Sequence, residues 1–363
     1  MTAIDLDAGT VLHRPEPGTD ALEHRIARHP RAFRVLSGDR PTGPLHLGHY
    51  LGTLANRVRL QNLGVPVVVV IADYQVITDR SDPGPLRDRI RTLVAEYLAA
   101  GLDPDRTAIF PHSAVPALNQ LMLPFLSLVT DAELRRNPTV KAEALASRRP
   151  LSGLLLTYPV HQVADILGMD GTVVPVGRDQ LPHLELARLV ARRFNERFGP
   201  VFTPPEPLLT GTPNLLGTDG AKMSKTRGNT IALGDTADRT AALVRGAQTD
   251  SNRRITFEPT TRPQVANLLS IIGGLTGRDP RDVAAGIGDG GAAELKRRAT
   301  EAINDTLAPM RRRRSDLLAD PDYLTGVLVD GTARATALAA GVLNRVRAAM
   351  GMDYFDAVDA AAP

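Results

Sequence analysis

Cysteine is absent from this chain of 363 residues. That excludes a disulfide framework and any thiolate metal site, and it makes a cytoplasmic location the expectation. Residues 1–30, MTAIDLDAGTVLHRPEPGTDALEHRIARHP, have neither a basic start nor a hydrophobic centre, so a secretory signal is not expected. No apolar run reads as long enough to span a bilayer, and no membrane partner is expected. Lysine is nearly missing as well: of 43 basic residues only Lys141, Lys222, Lys225 and Lys296 are lysine. Two of them fall inside KMSKT, residues 222–226. Lysine is a compact, mobile point charge and arginine a planar fork, so a site keeping lysine against an arginine background needs the ammonium.

What is present suits a globular protein. The hydrophobic content is 43% and the length suggests two domains. A net charge of only +3 fits contact with an anionic partner without requiring one.

FRVLSG (33–38) reads as a buried strand, followed by a loop with glycine at 38, 43 and 48. HYLGTLANRVRLQ (49–61) has helical spacing. VPVVVVIADY (65–74) is a continuous β-branched run, as in a strand covered on both faces of a parallel sheet. PLRDRIRTLVAEYLAAG (85–101) opens with proline, keeps Leu86, Ile90, Leu93, Val94 and Tyr97 on one face and ends at glycine, which predicts an amphipathic helix. TAIFP (107–111) and TVVPVG (172–177) are further strands, with a helical insertion at about 115–168 between them. The alternation predicts a doubly wound, Rossmann-like α/β fold with a parallel sheet. PPEPLLTGTPNLLGTDGA (204–221) reads as a mobile loop, and from about residue 234 helices dominate. The expected division is an N-terminal extension (1–30), a catalytic α/β domain (31–233) and an all-helical C-terminal domain (234–363).

Three short stretches carry chemistry. In PTGPLHLGHYLG (41–52), His46 and His49 stand at i, i+3. Zinc sites on helices prefer i, i+4 pairs and need further ligands, so no protein metal site is expected. Two histidines capping a helix start is the bland reading. The alternative is an anion site, because a strand, a glycine-bearing loop and a helix N-terminus present free N–H groups to a polyphosphate. A dinucleotide fingerprint is missing, since GxGxxG with an acid downstream does not occur here. KMSKT, after the Pro/Gly-rich stretch, is either a solvated charge run or a loop that closes on a ligand. In YPVHQVAD, Tyr158, Gln162 and Asp165 at i, i+4 and i+7 share one helical face. They form either an ordinary polar stripe or one wall of a pocket.

HLGH and KMSKT, in that order in an α/β domain, resemble the HIGH and KMSKS signatures of class I aminoacyl-tRNA synthetases. SGDRPTGPLHLGHYLG (37–52), LLTYPVHQVADIL (155–167) and VPVGRDQLPHLELAR (174–188) are similar to segments of the tryptophanyl-tRNA synthetases. The resemblance runs from about residue 33 to the C-terminal helices. It implies that Arg40, Pro41 and Thr42 lie beside ATP, with Gly48 and His49 under the triphosphate. It implies that Gly177, Arg178 and Asp179 hold adenosine, with an adenine contact near Pro213. Lys222, Met223, Ser224, Lys225 and Thr226 match the mobile signature. His46, His49, Lys222 and Lys225 are the expected catalytic groups on the phosphates. In the resembling family the aspartate matching Asp165 accepts the indole N–H, the tyrosine matching Tyr158 helps hold the amino group, and Gln162 and Gln180 complete the amino-acid site.

The Tyr-xxx-Gln-xx-Asp pattern also occurs in tyrosyl-tRNA synthetases, which add a tyrosine on the strand before HIGH as a second hydroxyl partner. Here that strand offers Val35 or Leu36, which cannot hydrogen-bond a phenol, and this favours tryptophan. Gln75 stands where the family commonly has histidine. Gln162 likewise replaces a residue that is often methionine there, and the two changes together suggest a secondary enzyme tolerant of the tryptophan mimic indolmycin. The implied partners are ATP with Mg²⁺, L-tryptophan, tRNA(Trp) and a second copy of the chain, with RRRR (311–314) expected to meet tRNA. A coenzyme-making adenylyltransferase and a non-charging tryptophan or RNA sensor are the rival readings.

Overall fold

The computed structural model describes residues 20–78, 82–147, 150–177, 180–209, 215–223 and 227–354. In chain order the elements are α1 (Asp20–Arg28), β1 (Val35–Asp39), α2 (Leu47–His49), α3 (Ala55–Asn62), β2 (Val67–Ile71), α4 (Leu86–Ala100) and β3 (Thr107–Pro111). Then come α5 (Pro116–Leu126), α6 (Asp131–Arg136), α7 (Pro138–Ser147), α8 (Gly153–Gly168), β4 (Val173–Val176), α9 (Leu181–Phe198) and β5 (Glu206–Leu209). The rest is helical: α10 (Ala237–Gly246), α11 (Pro263–Thr276), α12 (Pro280–Ile287), α13 (Gly291–Leu318) and α14 (Pro321–Ala349).

The strands form one five-stranded sheet in the order β3-β2-β1-β4-β5, and every pairing is parallel. β1 lies in register with β2 from Val35 opposite Val67 to Asp39 opposite Ile71. All five residues of β2 are buried, as a strand between two helical layers requires. Its side chains alternate between layers: Val67, Val69 and Ile71 join one apolar cluster, Val68 and Val70 the other. The first cluster continues into Leu269, Ile303 and Leu307 of the C-terminal helices. The second continues into Ala335, Ala339 and Val342 of α14.

Three local expectations change. The segment read as a loop at 204–221 contains β5, parallel to β4 from Glu206 to Leu209. Its Pro207 fits because β5 is an edge strand, where a missing donor is tolerated. The helix expected from residue 49 starts at Leu47 and contains a π turn, Tyr50–Leu54, with Ala55 N–H donating to the Tyr50 carbonyl. That turn sits directly after HLGH, and such turns recur at functional sites.

The third change concerns apolar length. By length and composition alone, α14 is apolar enough to cross a membrane. It lies instead along β3, the other edge of the sheet. There Gly331 comes so close to the Ile109 backbone that a Cβ would overlap it. Arg334 donates to the carbonyls of Asp105 (2.9 Å) and Thr107 (3.1 Å). Covering an edge is a common way of blunting it against foreign strands.

Candidate active site

Strand order reverses between β1 and β4, and in open parallel sheets the crevice outside the carboxyl ends at that point is where ligands bind. A cleft opens there as two adjoining chambers of about 320 and 430 Å³. They share Ser37, Gly38, Asp39, Gln162, Val174 and Gln180.

His46, Gly48, His49, Gly177, Lys222 and Met223 line the outer chamber. His46 caps α2: its Nδ1 accepts from Gly48 N–H at 3.1 Å, while its own N–H donates to His49 Nδ1 at 3.2 Å. The two imidazoles stand 3.8 Å apart between centroids. A Cβ on Gly48 would meet the His46 ring at 3.0 Å and Met223 Sδ at 3.5 Å, so the two signature segments come close together around this glycine. Main-chain bonds reinforce this juncture: Leu47 N–H donates to Ile231 at 3.0 Å and Leu233 N–H to Leu45 at 2.9 Å. The chain just beyond KMSKT is therefore stitched to the HLGH loop.

Two buried ionic contacts support that loop. Beneath it Asp39 receives Arg57 Nη1 and the Tyr97 hydroxyl, each at 2.7 Å. The Arg57 side chain is 1% exposed. Burial pushes the Asp39 carboxyl up, but Arg57, His49 and the two hydrogen bonds outweigh it and hold the group well below the usual carboxylate range. Beside this pair Glu96, itself buried, accepts Leu45 N–H at 2.7 Å and Arg314 Nε at 3.2 Å. Glu96 thus ties the start of HLGH to α13.

The inner chamber is walled by one face of α8, with Tyr158, Gln162 and Asp165 on it, and by Gln75, Leu36 and Gln180. Gln75 rides on the turn Tyr74–Ile77, which Asp73 caps by accepting from Tyr74 N–H (3.0 Å); Asp73 also accepts from Ser113 N–H (3.0 Å). The Tyr158 hydroxyl lies 3.5 Å from His183 Nε2, and burial pushes its ionisation well up. Asp165 is 2% exposed and its Oδ1 makes no hydrogen bond within the described protein. His112 Nδ1 stands 2.8 Å from that oxygen, within ion-pair reach but without the alignment of a hydrogen bond. Behind it the His161 ring packs on His112 with centroids 3.6 Å apart. Burial, and then the neighbouring His112, lower the His161 pKa to about 4.

The cleft therefore gathers His46, Gly48, His49, Gly177, Lys222 and Met223 in one chamber and Tyr158, Asp165 and Gln75 in the other, with Gln162 and Gln180 between. Arg40 lines the inner chamber and pairs with Glu143 of α7 at 3.5 Å. Pro41 and Thr42 line neither chamber. Arg178, Asp179, Pro213, Ser224, Lys225 and Thr226 lie outside the described residues. Among the described residues no cluster of His, Asp and Glu forms a metal cage.

The arginine tract is mostly turned inward rather than offered to a partner. Arg311 donates to Asn304 and Thr240 (both 2.8 Å), Arg313 to the Ala99 carbonyl (2.8 Å) and Arg314 to Glu96; Arg312 is exposed. Four groups escape sequence reading, namely Asp39, Arg57, Glu96 and His112. One signal was available. Asp39, Asp73 and His112 each end or closely follow an apolar strand, at the carboxyl ends of the sheet where ligands bind.

The model of the family "tRNA synthetases class I (W and Y)" matches residues 28–308. A tryptophan–tRNA ligase of Clostridium longisporum is 38% identical over 336 residues, covering 89% of this chain and 98% of its own. One from Treponema pallidum is 40% identical over 344 residues, 88% of this chain and 97% of its own. Among solved structures, tryptophanyl-tRNA synthetase from Campylobacter jejuni complexed with ADP and tryptophan superposes with a TM-score of 0.74 at 28% identity, covering 88% of this chain and 100% of that one.

Proposed function

The chain belongs to the class I tRNA synthetases of the tryptophan and tyrosine group, and on that premise we propose that its cleft joins L-tryptophan to ATP and passes the tryptophanyl group to tRNA(Trp). A carboxylate oxygen of tryptophan attacks the α-phosphorus of ATP. The bond from that phosphorus to the bridging oxygen breaks, and pyrophosphate leaves. The 3′-terminal hydroxyl of the tRNA then attacks the carbonyl carbon of the adenylate, releasing AMP. The protein supplies positioning and charge rather than a covalent intermediate.

The outer chamber takes the triphosphate, with Mg²⁺ arriving as part of the ATP substrate. His46, His49 and Lys222 face it, and Lys225 completes the set from KMSKT. Gly177, Arg178 and Asp179 hold the adenosine. The inner chamber takes the indole. Tyr158, Gln162 and Gln180 hold the amino-acid end, and the second domain, 234–363, meets the tRNA. The enzyme works in the cytoplasm as a homodimer.

One observation carries this reading: a buried carboxylate oxygen, Asp165 Oδ1, lacks a hydrogen bond in a chamber of side-chain size. Such an oxygen calls for a donor from the ligand, and leaving it unpaired rejects amino acids without one. Leu36, apolar where a tyrosine enzyme carries its second hydroxyl partner, lines the same chamber and supports indole over phenol. The test is ATP–pyrophosphate exchange with each proteinogenic amino acid, followed by charging of tRNA(Trp). Exchange with tryptophan and charging are expected. Exchange with tyrosine alone, or none at all, reverses the assignment.

Gln75 on the inner wall gives a second expectation. Indolmycin inhibits tryptophan-dependent exchange weakly, and Gln75→His strengthens the inhibition. Equal inhibition of the two proteins removes the link between Gln75 and this mimic.

A further inference from the structure

We propose that His112 is a positioning residue for tryptophan, fixing the Asp165 carboxylate so that it meets the ring N–H. The inference rests on the reading that Asp165 accepts that N–H. His112 is fully buried immediately after β3 and does not line the chamber, so it acts on the ligand only through Asp165. Its Nδ1 lies 2.8 Å from Asp165 Oδ1.

A ring so placed needs support of its own, and it has it. His161 packs on one side at 3.6 Å between centroids and is itself tied to Asn119 Oδ1 at 2.9 Å. Tyr74 meets His112 edge-on at 5.7 Å. His112 thus has little freedom, while the terminal torsion of an aspartate is intrinsically broad. With apolar Leu36, Val70 and Ile166 on the chamber wall, His112 is the buried polar group against which the carboxylate is oriented. An acceptor turned away from the indole loses the selectivity that a prepaid orientation provides.

The readout is the ratio of kcat/KM in pyrophosphate exchange for tryptophan over 3-benzothienylalanine, in which sulfur replaces the ring N–H. His112→Leu is expected to raise the KM for tryptophan by about 10- to 100-fold, the range of a hydrogen bond to a charged group. The ratio shrinks by a similar factor, with kcat and the KM for ATP little changed. His112→Asn, whose amide falls near the position of Nδ1, restores most of the ratio. Asp165→Ala separates the two readings. If it leaves the ratio intact, Asp165 does not read the N–H and the inference falls with that assignment. If it collapses the ratio while His112→Leu does not, only the role of His112 is overturned. A lower melting temperature with an unchanged ratio also overturns it, since His112 then serves packing alone. Where His112→Leu fails to fold, His112→Gln, whose amide falls near Nε2 rather than Nδ1, carries the comparison: a loss of the ratio is expected, and a wild-type ratio with a wild-type KM in it overturns the proposal if Asp165→Ala collapses the ratio.

Discussion

Lys222→Ala slows tryptophan-dependent pyrophosphate exchange by about 100- to 1,000-fold, the cost of removing one preorganised donor from developing charge. Lys222 lines the outer chamber with His46 and His49, whereas Asp165 and Tyr158 line the inner one. Tryptophan affinity, read by equilibrium dialysis without ATP, is therefore unchanged. Lys222→Arg does not restore the rate, because a planar fork cannot replace a point charge beside two imidazoles. The double variant with His49→Ala falls by less than the product of the single losses, as groups acting on one charge do. Equal loss of tryptophan affinity and rate in Lys222→Ala would sink the division of the cleft into two chambers.

Arg57→Leu is expected to cost about 3–5 kcal/mol of stability, because it strands the Asp39 carboxylate without its counter-ion. Removing both charges, in Arg57→Leu with Asp39→Leu, recovers much of the loss. The pH dependence of the two proteins has opposite sign. In the wild type the native Asp39 ionises well below the usual range. Its contribution is present above about pH 4, the unfolded value, and is lost as pH falls toward the native one. In Arg57→Leu the main opposing cation is gone, burial is expected to outweigh what His49 and Tyr97 still contribute, and the native value rises above the unfolded one. The variant then regains stability on acidification, and its melting temperature approaches that of the wild type between neutral pH and about pH 4. Parallel melting curves over that interval would show that Asp39 is not the group responsible.

The sheet was legible because a strand buried on both faces is an uninterrupted apolar run, as VVVVI is. HLGH and YPVHQVAD were legible because each keeps its chemistry within a few residues. β5 was not, since three prolines in PPEPLL outweighed a strand whose existence depends on a free edge of β4. The internal partners of the arginine tract were not legible for a related reason. Charge alone cannot say whether the nearest anion is a nucleic acid or the protein's own Glu96 and helix carbonyls. Pairs such as His112 with Asp165, or Arg57 with Asp39, become neighbours only once the sheet brings strand ends together.

Arg314 lies 218 residues beyond Glu96, its partner under the HLGH loop. During synthesis the N-terminal part of a chain emerges first, at about 5–20 residues per second. The residues of the first signature, of the sheet and of the Asp39–Arg57 pair are therefore all synthesised before α13. Until α13 follows, the contact of Arg314 with Glu96 cannot form. The last helices to be made thus belong to the support of the HLGH loop, and a chain cut short before α13 lacks that contact.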